Sequence, residues 1–388
     1  MSLIRTAITG AVVAAVVQII LMLAMVGGPA EMYEVLEPMF QAELPWPPPH
    51  DDGADGGNNG GRSLDGRTVL VTGANRGYGL AIAQHMSDLG ANRVLMACRS
   101  RDACARAAAS VRGGVPVHVD LGRTQSVVAC AAALEAAGER VDVLVLNAAV
   151  VDVGNVAAEG SGGVARSFLV NYLSNVALVR ELLARGVLAG GGGEGEAQAK
   201  AQARRRARVV VISSGCYKNG WSNLDDGGRG IGAFDDWSTL SAMQYYGQTK
   251  FLLQVWASWL AHAGAGPGGV DVVVHSPGPI KTALGSENVP WPLVPSYRLM
   301  LAMLFPTPAE ASRPVAHLAA RPRAFPSGTF LHIREVREVR ADARGAGAAG
   351  GGDTEAARVE AWAWAGTRDA LAAAGYDFSL AQLQAPWG

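Results

Sequence analysis

One stretch constrains the fold more than any other: Thr68-Val69-Leu70-Val71-Thr72-Gly73-Ala74-Asn75-Arg76-Gly77-Tyr78-Gly79-Leu80. The apolar run 69–71 reads as a buried strand leading directly into glycines, and 80–86 resumes with a composition and spacing that suit a helix. Strand, glycine turn and helix in succession form the nucleotide-binding corner of a doubly wound sheet. There the main chain must approach a pyrophosphate closely, and the helix N-terminus faces the anion. The spacing is G-x-x-x-G-x-G, not G-x-G-x-x-G, and a chain with 49 glycines produces spaced glycines by chance. The turn therefore needs support from the rest of the chain.

That support begins with alternation. Apolar strands at 93–98, 115–119, 141–146, 209–212 and 270–274, with a further candidate at 329–333, alternate with Ala-rich helical patterns. This predicts an α/β fold, a Rossmann-type doubly wound and mostly parallel sheet with helices on both faces. A hydrophobic content of 49% supplies a sizeable core, and the net charge of −1 gives no general attraction for nucleic acid. Cys98, Cys104, Cys130 and Cys216 show no paired metal spacing and suggest no disulfide framework. The histidines form no H-x-x-x-H cluster, so no metal site is assigned.

The ends of the chain read differently. Residues 7–26 are almost wholly apolar, and about 20 helical residues span ~30 Å, the thickness of a bilayer core. With Arg5 before it and Glu31, Glu34 and Glu37 after it, residues 1–30 read as a membrane anchor. A cleaved signal segment is the second reading, given the small residues around Gly28-Pro29-Ala30. Residues 31–63, rich in Pro, Gly and Asp, are a linker; 64–340 form the main domain; 341–353 are a second Gly-rich linker; 354–388 are a helical extension. Residues 190–207 read as a solvated, low-complexity insertion.

Tyr246-Gly247-Gln248-Thr249-Lys250 places a phenol and an ammonium one helical turn apart on one face. With eight tyrosines and four lysines in the chain, a chance Y-x-x-x-K has an expectation of roughly 0.08. Together with the glycine turn upstream, residues 64–333 resemble the short-chain dehydrogenase/reductase family. Thr72 to Gly79 is similar to the family's T-G-x-x-x-G-x-G motif, in which Gly73, Asn75, Arg76, Gly77, Tyr78 and Gly79 are implied cofactor contacts. Asp120 and Leu121 stand where the family contacts adenine. Leu146-Asn147-Ala148-Ala149 stands where it usually has N-N-A-G, and Asn147 is carried over. Pro277-Gly278-Pro279-Ile280-Lys281-Thr282 resembles the nicotinamide loop, which implicates Pro277, Gly278, Ile280 and Thr282.

Asn171, Ser214, Tyr246 and Lys250 fall in the order of the family's catalytic tetrad. The resemblance implies that Tyr246 is the general acid/base and that Ser214 holds the substrate oxygen. It further implies that Lys250 assists Tyr246 and binds ribose, and that Asn171 anchors a proton-relaying water. A free phenol has a pKa of ~10, so Lys250 and an oxidised nicotinamide are expected to lower that of Tyr246. Ser214 is preferred over Ser213 as the second serine of the pair.

Charge argues for the form of cofactor. Where an acid follows the second strand in NAD-selective sites, this chain has Arg99, and Arg76 lies inside the glycine loop. Guanidinium groups suit a 2′-phosphate, which predicts NADP. The Ala97-Cys98-Arg99 strand end and the Tyr245-Tyr246 pair are similar to the retinol-dehydrogenase-like branch. An anchor and the apolar segment 289–305 predict a lipophilic small-molecule substrate: a retinoid, sterol or long-chain carbonyl. Protochlorophyllide reductases share the strand end and Asn147-Ala148-Ala149-Val150, but carry cysteine where this chain has Pro279. A non-catalytic NADP-binding membrane scaffold is the rival from another class, and it leaves the tetrad unexplained.

Overall fold

The computed structural model describes residues 64–152, 156–159, 163–188, 206–220, 242–263, 269–282, 284, 294–295, 298, 301–302, 305–322, 324–333, 335–337, 367, 371–372 and 375. The expected anchor and first linker lie outside them, as do most of the insertion and the second linker. No helix among the described residues is long and apolar enough to cross a membrane.

Among the described residues, seven parallel strands form the sheet: β1 (Thr68–Thr72), β2 (Arg93–Cys98), β3 (Gly114–His118), β4 (Val143–Leu146), β5 (Arg208–Ile212), β6 (Asp271–Ser276) and β7 (Phe330–His332). An eighth, β8 (Glu335–Arg337), pairs antiparallel with β7. The spatial order β3-β2-β1-β4-β5-β6-β7-β8 reverses direction between β1 and β4. That reversal opens a crevice at the carboxyl ends of β1 and β4, where ligands bind in such sheets.

The pleat decides which residues enter which core. Leu70 points to one face and its neighbours Val69 and Val71 to the other, the period-2 alternation of a strand buried on both sides. One face is covered by α1 (Gly77–Asp88), α2 (Arg101–Ala108) and α6 (Pro308–Ala320). The other is covered by α3 (Thr124–Ala136), α4 and α5 (Ala242–Ala263). Helix α4 begins at Arg166–Phe168, widens into a π-helical turn at Leu169–Leu173 and continues through Ser174–Ala184. Helix α5 is buried around much of its circumference, from Tyr245 through Trp256 to Leu260.

Two features lay beyond the sequence reading. The chain turns from β7 into β8 through Ile333, which holds a φ of 58°, unusual for a β-branched residue. The C-terminal extension, expected as an element beyond its own linker, contributes Leu371 to the same core as α3, α4 and α5.

Candidate active site

The glycine turn is shaped by contacts that leave no room for side chains. Thr72, at the end of β1, donates through Oγ1 to the Val145 carbonyl (3.4 Å) and accepts from the amides of Asn147 (2.9 Å) and Ala148 (3.0 Å). Asn147 in turn donates through Nδ2 to the Thr72 carbonyl at 2.9 Å. These bonds clip β4 to the turn across the crevice. Gly73 has φ 70°, and a Cβ there would sit 3.0 Å from Ala148 Cα; one on Gly79 would lie 2.3 Å from the Gly73 carbonyl oxygen. Thr72 opens the T-G-x-x-x-G-x-G motif, but the sequence assigned it no contact of its own.

The same turn fits a nucleotide's pyrophosphate. Gly77 (φ 57°) opens α1, and the nearest atom to a Cβ there is Thr282 Cγ2 at 3.9 Å, an ordinary contact distance, so the turn faces the 277–282 loop. Helix α1 has no side-chain cap and no acidic residue in its first turn, which leaves its N-terminal amides and dipole for an anion. Tyr78 is placed otherwise: its phenol donates to the Ala311 carbonyl at 3.1 Å and is buried against α6, so only its main chain borders the turn. Arg76 and Arg99 are both exposed, beside the turn and directly after β2.

Beyond β3, Asp120 Oδ1 accepts from the Gly122 amide (2.9 Å), and the buried Leu121 offers its carbonyl to Ser174 Oγ (2.7 Å). An open cleft of about 580 Å³ here is lined by Arg101, His118, Asp120 and Arg123. Cys98 and Cys104 form a disulfide from the end of β2 to α2, contrary to the expectation of no disulfides. A six-residue spacing from strand to helix carries no signature in sequence, and the sheet alone brings the two together.

The second cluster is assembled from distant segments. Helix α5 puts Tyr246 and Lys250 on one face at the end of β5, both almost wholly buried. The Tyr246 phenol is hydrogen-bonded to the Ser214 side chain. Ser214 Oγ also accepts from the Cys216 amide at 3.3 Å, whereas Ser213 is buried and turned toward Gln254 Oε1 at 3.3 Å. Lys250 Nζ donates to the Ile212 carbonyl at 2.8 Å and lies 5.7 Å from the Tyr246 ring centroid.

Asn171 sits in the π-helical turn and is wholly buried. Its Oδ1 accepts from the Val150 amide (2.8 Å), while Nδ2 donates to the Val150 carbonyl (2.9 Å) and Thr249 Oγ1 (3.1 Å). Thr249 then donates to the Tyr246 carbonyl at 2.8 Å. A chain of bonds thus runs from the loop after β4, through Asn171, to the main chain of Tyr246. Asn175 bridges the carbonyls of Val170 (3.1 Å) and Asn171 (3.0 Å) that the widened turn releases. Thr249 and Asn175 escaped the sequence reading because they act on Asn171 and on main-chain carbonyls, which carry no motif.

Electrostatics differ from the sequence expectation in one respect. Burial pushes the Tyr246 phenol well above its ordinary range, with Cys216 adding to the rise and the Ser214 bond opposing it. Burial also lowers Lys250, to about 8, because its ammonium is removed from water. The chain's own groups thus favour the protonated form of Tyr246. Among the described residues no group of histidines, cysteines or carboxylates is placed to hold a metal ion.

Comparison with known proteins now decides the family. A family profile described as short chain dehydrogenase matches residues 67–224. Retinol dehydrogenase 14 of Mus musculus is 30% identical over 291 residues, covering 71% of this chain and 79% of that protein. The chain belongs to the short-chain dehydrogenase/reductase family. Within it, the relatives place it in the retinol-dehydrogenase-like branch, as an oxidoreductase using a nicotinamide cofactor. A shorter match, 35% identical over 127 residues, is to chloroplastic protochlorophyllide reductase B of Oryza sativa subsp. japonica, covering 31% of this chain and 33% of that one. The fold is shared with a short-chain type dehydrogenase/reductase from Mycobacterium marinum (TM-score 0.50, 21% identity, 70% of this chain and 94% of that one).

Proposed function

We propose that the protein interconverts an alcohol and a carbonyl on a lipophilic substrate with NADP(H), using Tyr246 as the general acid/base. The observation that carries this reading is Tyr246, almost wholly buried beside Ser214, with Lys250 Nζ 5.7 Å from its ring centroid. A bound nicotinamide supplies or accepts the hydride. Ser214 donates to the substrate oxygen, and Tyr246 delivers its proton to that oxygen in reduction or takes it back in oxidation. Lys250 reaches the ribose and the proton path, and Asn171 fixes the Tyr246 turn through Thr249. Gly73, Asn75, Gly77 and Gly79 would cradle the pyrophosphate, Asp120 and Leu121 the adenine, and Asn147, Pro277, Gly278, Ile280 and Thr282 the nicotinamide side. Exposed Arg76 and Arg99 favour the 2′-phosphate of NADP.

The class of substrate rests on the name of the mouse relative and on the apolar run 289–305, of which Leu301 and Phe305 are buried. Residues 1–30 are read as the anchor that keeps the enzyme at its lipophilic substrate. Alkaline washing of membranes tests this, and full release of the chain would overturn it. The match to protochlorophyllide reductase supports a double-bond reductase as the second reading. Pro279, where those enzymes carry cysteine, counts against it.

NADPH consumption with all-trans-retinal, a 3-ketosteroid and a long-chain aldehyde tests the first reading. Tyr246→Phe is expected to lower turnover by about 10²–10⁴-fold while NADPH still binds. Unchanged turnover in that variant would refute the assigned role.

A further inference from the structure

The π-helical turn of α4 has a partner that the reaction itself does not explain. Tyr172, next to Asn171, is 1% exposed, and its hydroxyl lies 2.6 Å from Thr367 Oγ1, which is wholly buried. The two residues are 195 positions apart. Leu371 (1% exposed) joins the core that contains Leu169, Tyr172 and Leu173. Gly375 closes on the start of α3, where a Cβ would come within 3.9 Å of Thr124 Oγ1. Helix α3 follows the Asp120-Leu121 loop directly, and Ser174 at the end of the π-turn holds the Leu121 carbonyl. Thr367 thus touches the turn that bears Asn171, and Gly375 the helix that starts beside the expected adenine site.

A π-turn is a less favourable ring than the α-helix around it and persists where other groups hold it open. Asn175 ties its carbonyls from inside, Asn171 ties it to Val150 and Thr249, and Tyr172 ties it to Thr367 near the C-terminus. Relaxation to a regular helix would rotate Asn171 away from Val150 and Thr249. We propose that Thr367, Leu371 and Gly375 clamp this turn, and that Tyr172 and Thr367 are positioning residues that hold Asn171 in register with Tyr246. For its effect on turnover, the proposal rests on the function assigned above; for its effect on the turn, it does not.

Thr367→Val and Tyr172→Phe each delete one polar contact at nearly constant volume. The full chain, both single variants, the double variant and Thr367→Ser are compared in NADPH-dependent reduction of all-trans-retinal and in amide hydrogen exchange. Each single variant is expected to lower kcat about 5–20-fold, the loss that one buried hydroxyl left unpaired produces. KM and NADPH affinity should stay within about 2-fold, because neither residue borders the ligands. The double variant should be no worse than the singles, as befits one shared contact, and Thr367→Ser should restore kcat. Exchange should rise about 10-fold or more in segment 166–176 and at Val150, with the sheet unchanged.

Unaltered exchange at the π-turn in Thr367→Val would overturn the clamp, whatever the activity. So would additive losses with exchange rising uniformly over the domain, which mark general destabilisation. If the unaltered chain fails to reduce any carbonyl, the proposed function falls and the exchange measurement alone decides the clamp.

Discussion

The glycine turn and the Tyr246 cluster face one crevice but are built on opposite principles. At the turn, almost everything is main chain: an uncapped helix start, two glycines at positive φ and contacts so close that a methyl group does not fit. Its own residues lie within a dozen positions, braced by Asn147 and Ala148 after β4, and it is open enough to receive an anion. At the other end, side chains from the turn of α4, the end of β5 and α5 meet one another and the main chain of Val150 and Ile212. A cofactor site can be made by leaving atoms out. A proton-transfer site must instead bring polar groups in and satisfy each of them, since unpaired burial costs about 1–3 kcal/mol per group.

If that division holds, variants at the two ends should fail in different measurements. Tyr246→Phe has the largest expected effect, the loss of turnover of about 10²–10⁴-fold, with NADPH affinity nearly intact by fluorescence titration. Gly79→Ala should do the reverse. Its Cβ meets the Gly73 carbonyl at 2.3 Å and Asn147 Nδ2 at 2.6 Å, so the turn must shift. The expected cost is about 1–3 kcal/mol in unfolding free energy, with NADPH affinity falling alongside it. Should Gly79→Ala lower kcat and spare binding, the two regions are not separable as described.

Arg99→Ala sharpens the comparison within the cofactor end. Removing one guanidinium is expected to weaken NADPH roughly 10-fold and NADH little, the worth of one charge-assisted contact. Equal losses for both cofactors would sink the NADP assignment.

The smallest effect concerns pH. Burial depresses Lys250 from 10.5 to about 8, so the unfolded chain holds that proton over a window where the folded chain has released it. Stability therefore gains from this group as pH rises from about 8 towards 10.5, and below that window both states are protonated and the slope vanishes. Lys250→Met should flatten the denaturation midpoint over that range. An identical slope in both chains would remove the basis for a buried, depressed ammonium.

The contrast also explains what was legible in the sequence. The turn could be read because its residues are neighbours: strand run, glycine spacing and helix follow one another, and Tyr246 and Lys250 share one helical turn. The seven parallel strands could be read from their apolar runs, although β4 begins at Val143 and β7 shrinks to three residues. The contacts that hold the side chains in place could not be read. Asn171 meets Val150 and Thr249 across 21 and 78 positions, and Cys98 meets Cys104 because strand and helix fold back on each other. Strand β8 was hidden as well, because it depends on Ile333 taking a backbone angle that its side chain disfavours. The raised phenol of Tyr246 went unforeseen for a related reason: sequence shows a neighbouring cation but not how much water has been excluded.

The π-turn has one more consequence. A helix advances about 100° per residue, so a ring that takes in one extra residue leaves the segments before and after it out of phase by that angle. Phe168 and Leu178 can both face the core while Asn171 faces Val150 and Thr249. Deleting Val170 from the turn would keep Asn171, Thr249 and Tyr246 in the chain and still dismantle the site, because the two halves of α4 would fall back into step. The position of Asn171 is therefore written in the number of residues between two apolar faces as much as in the identity of any one of them.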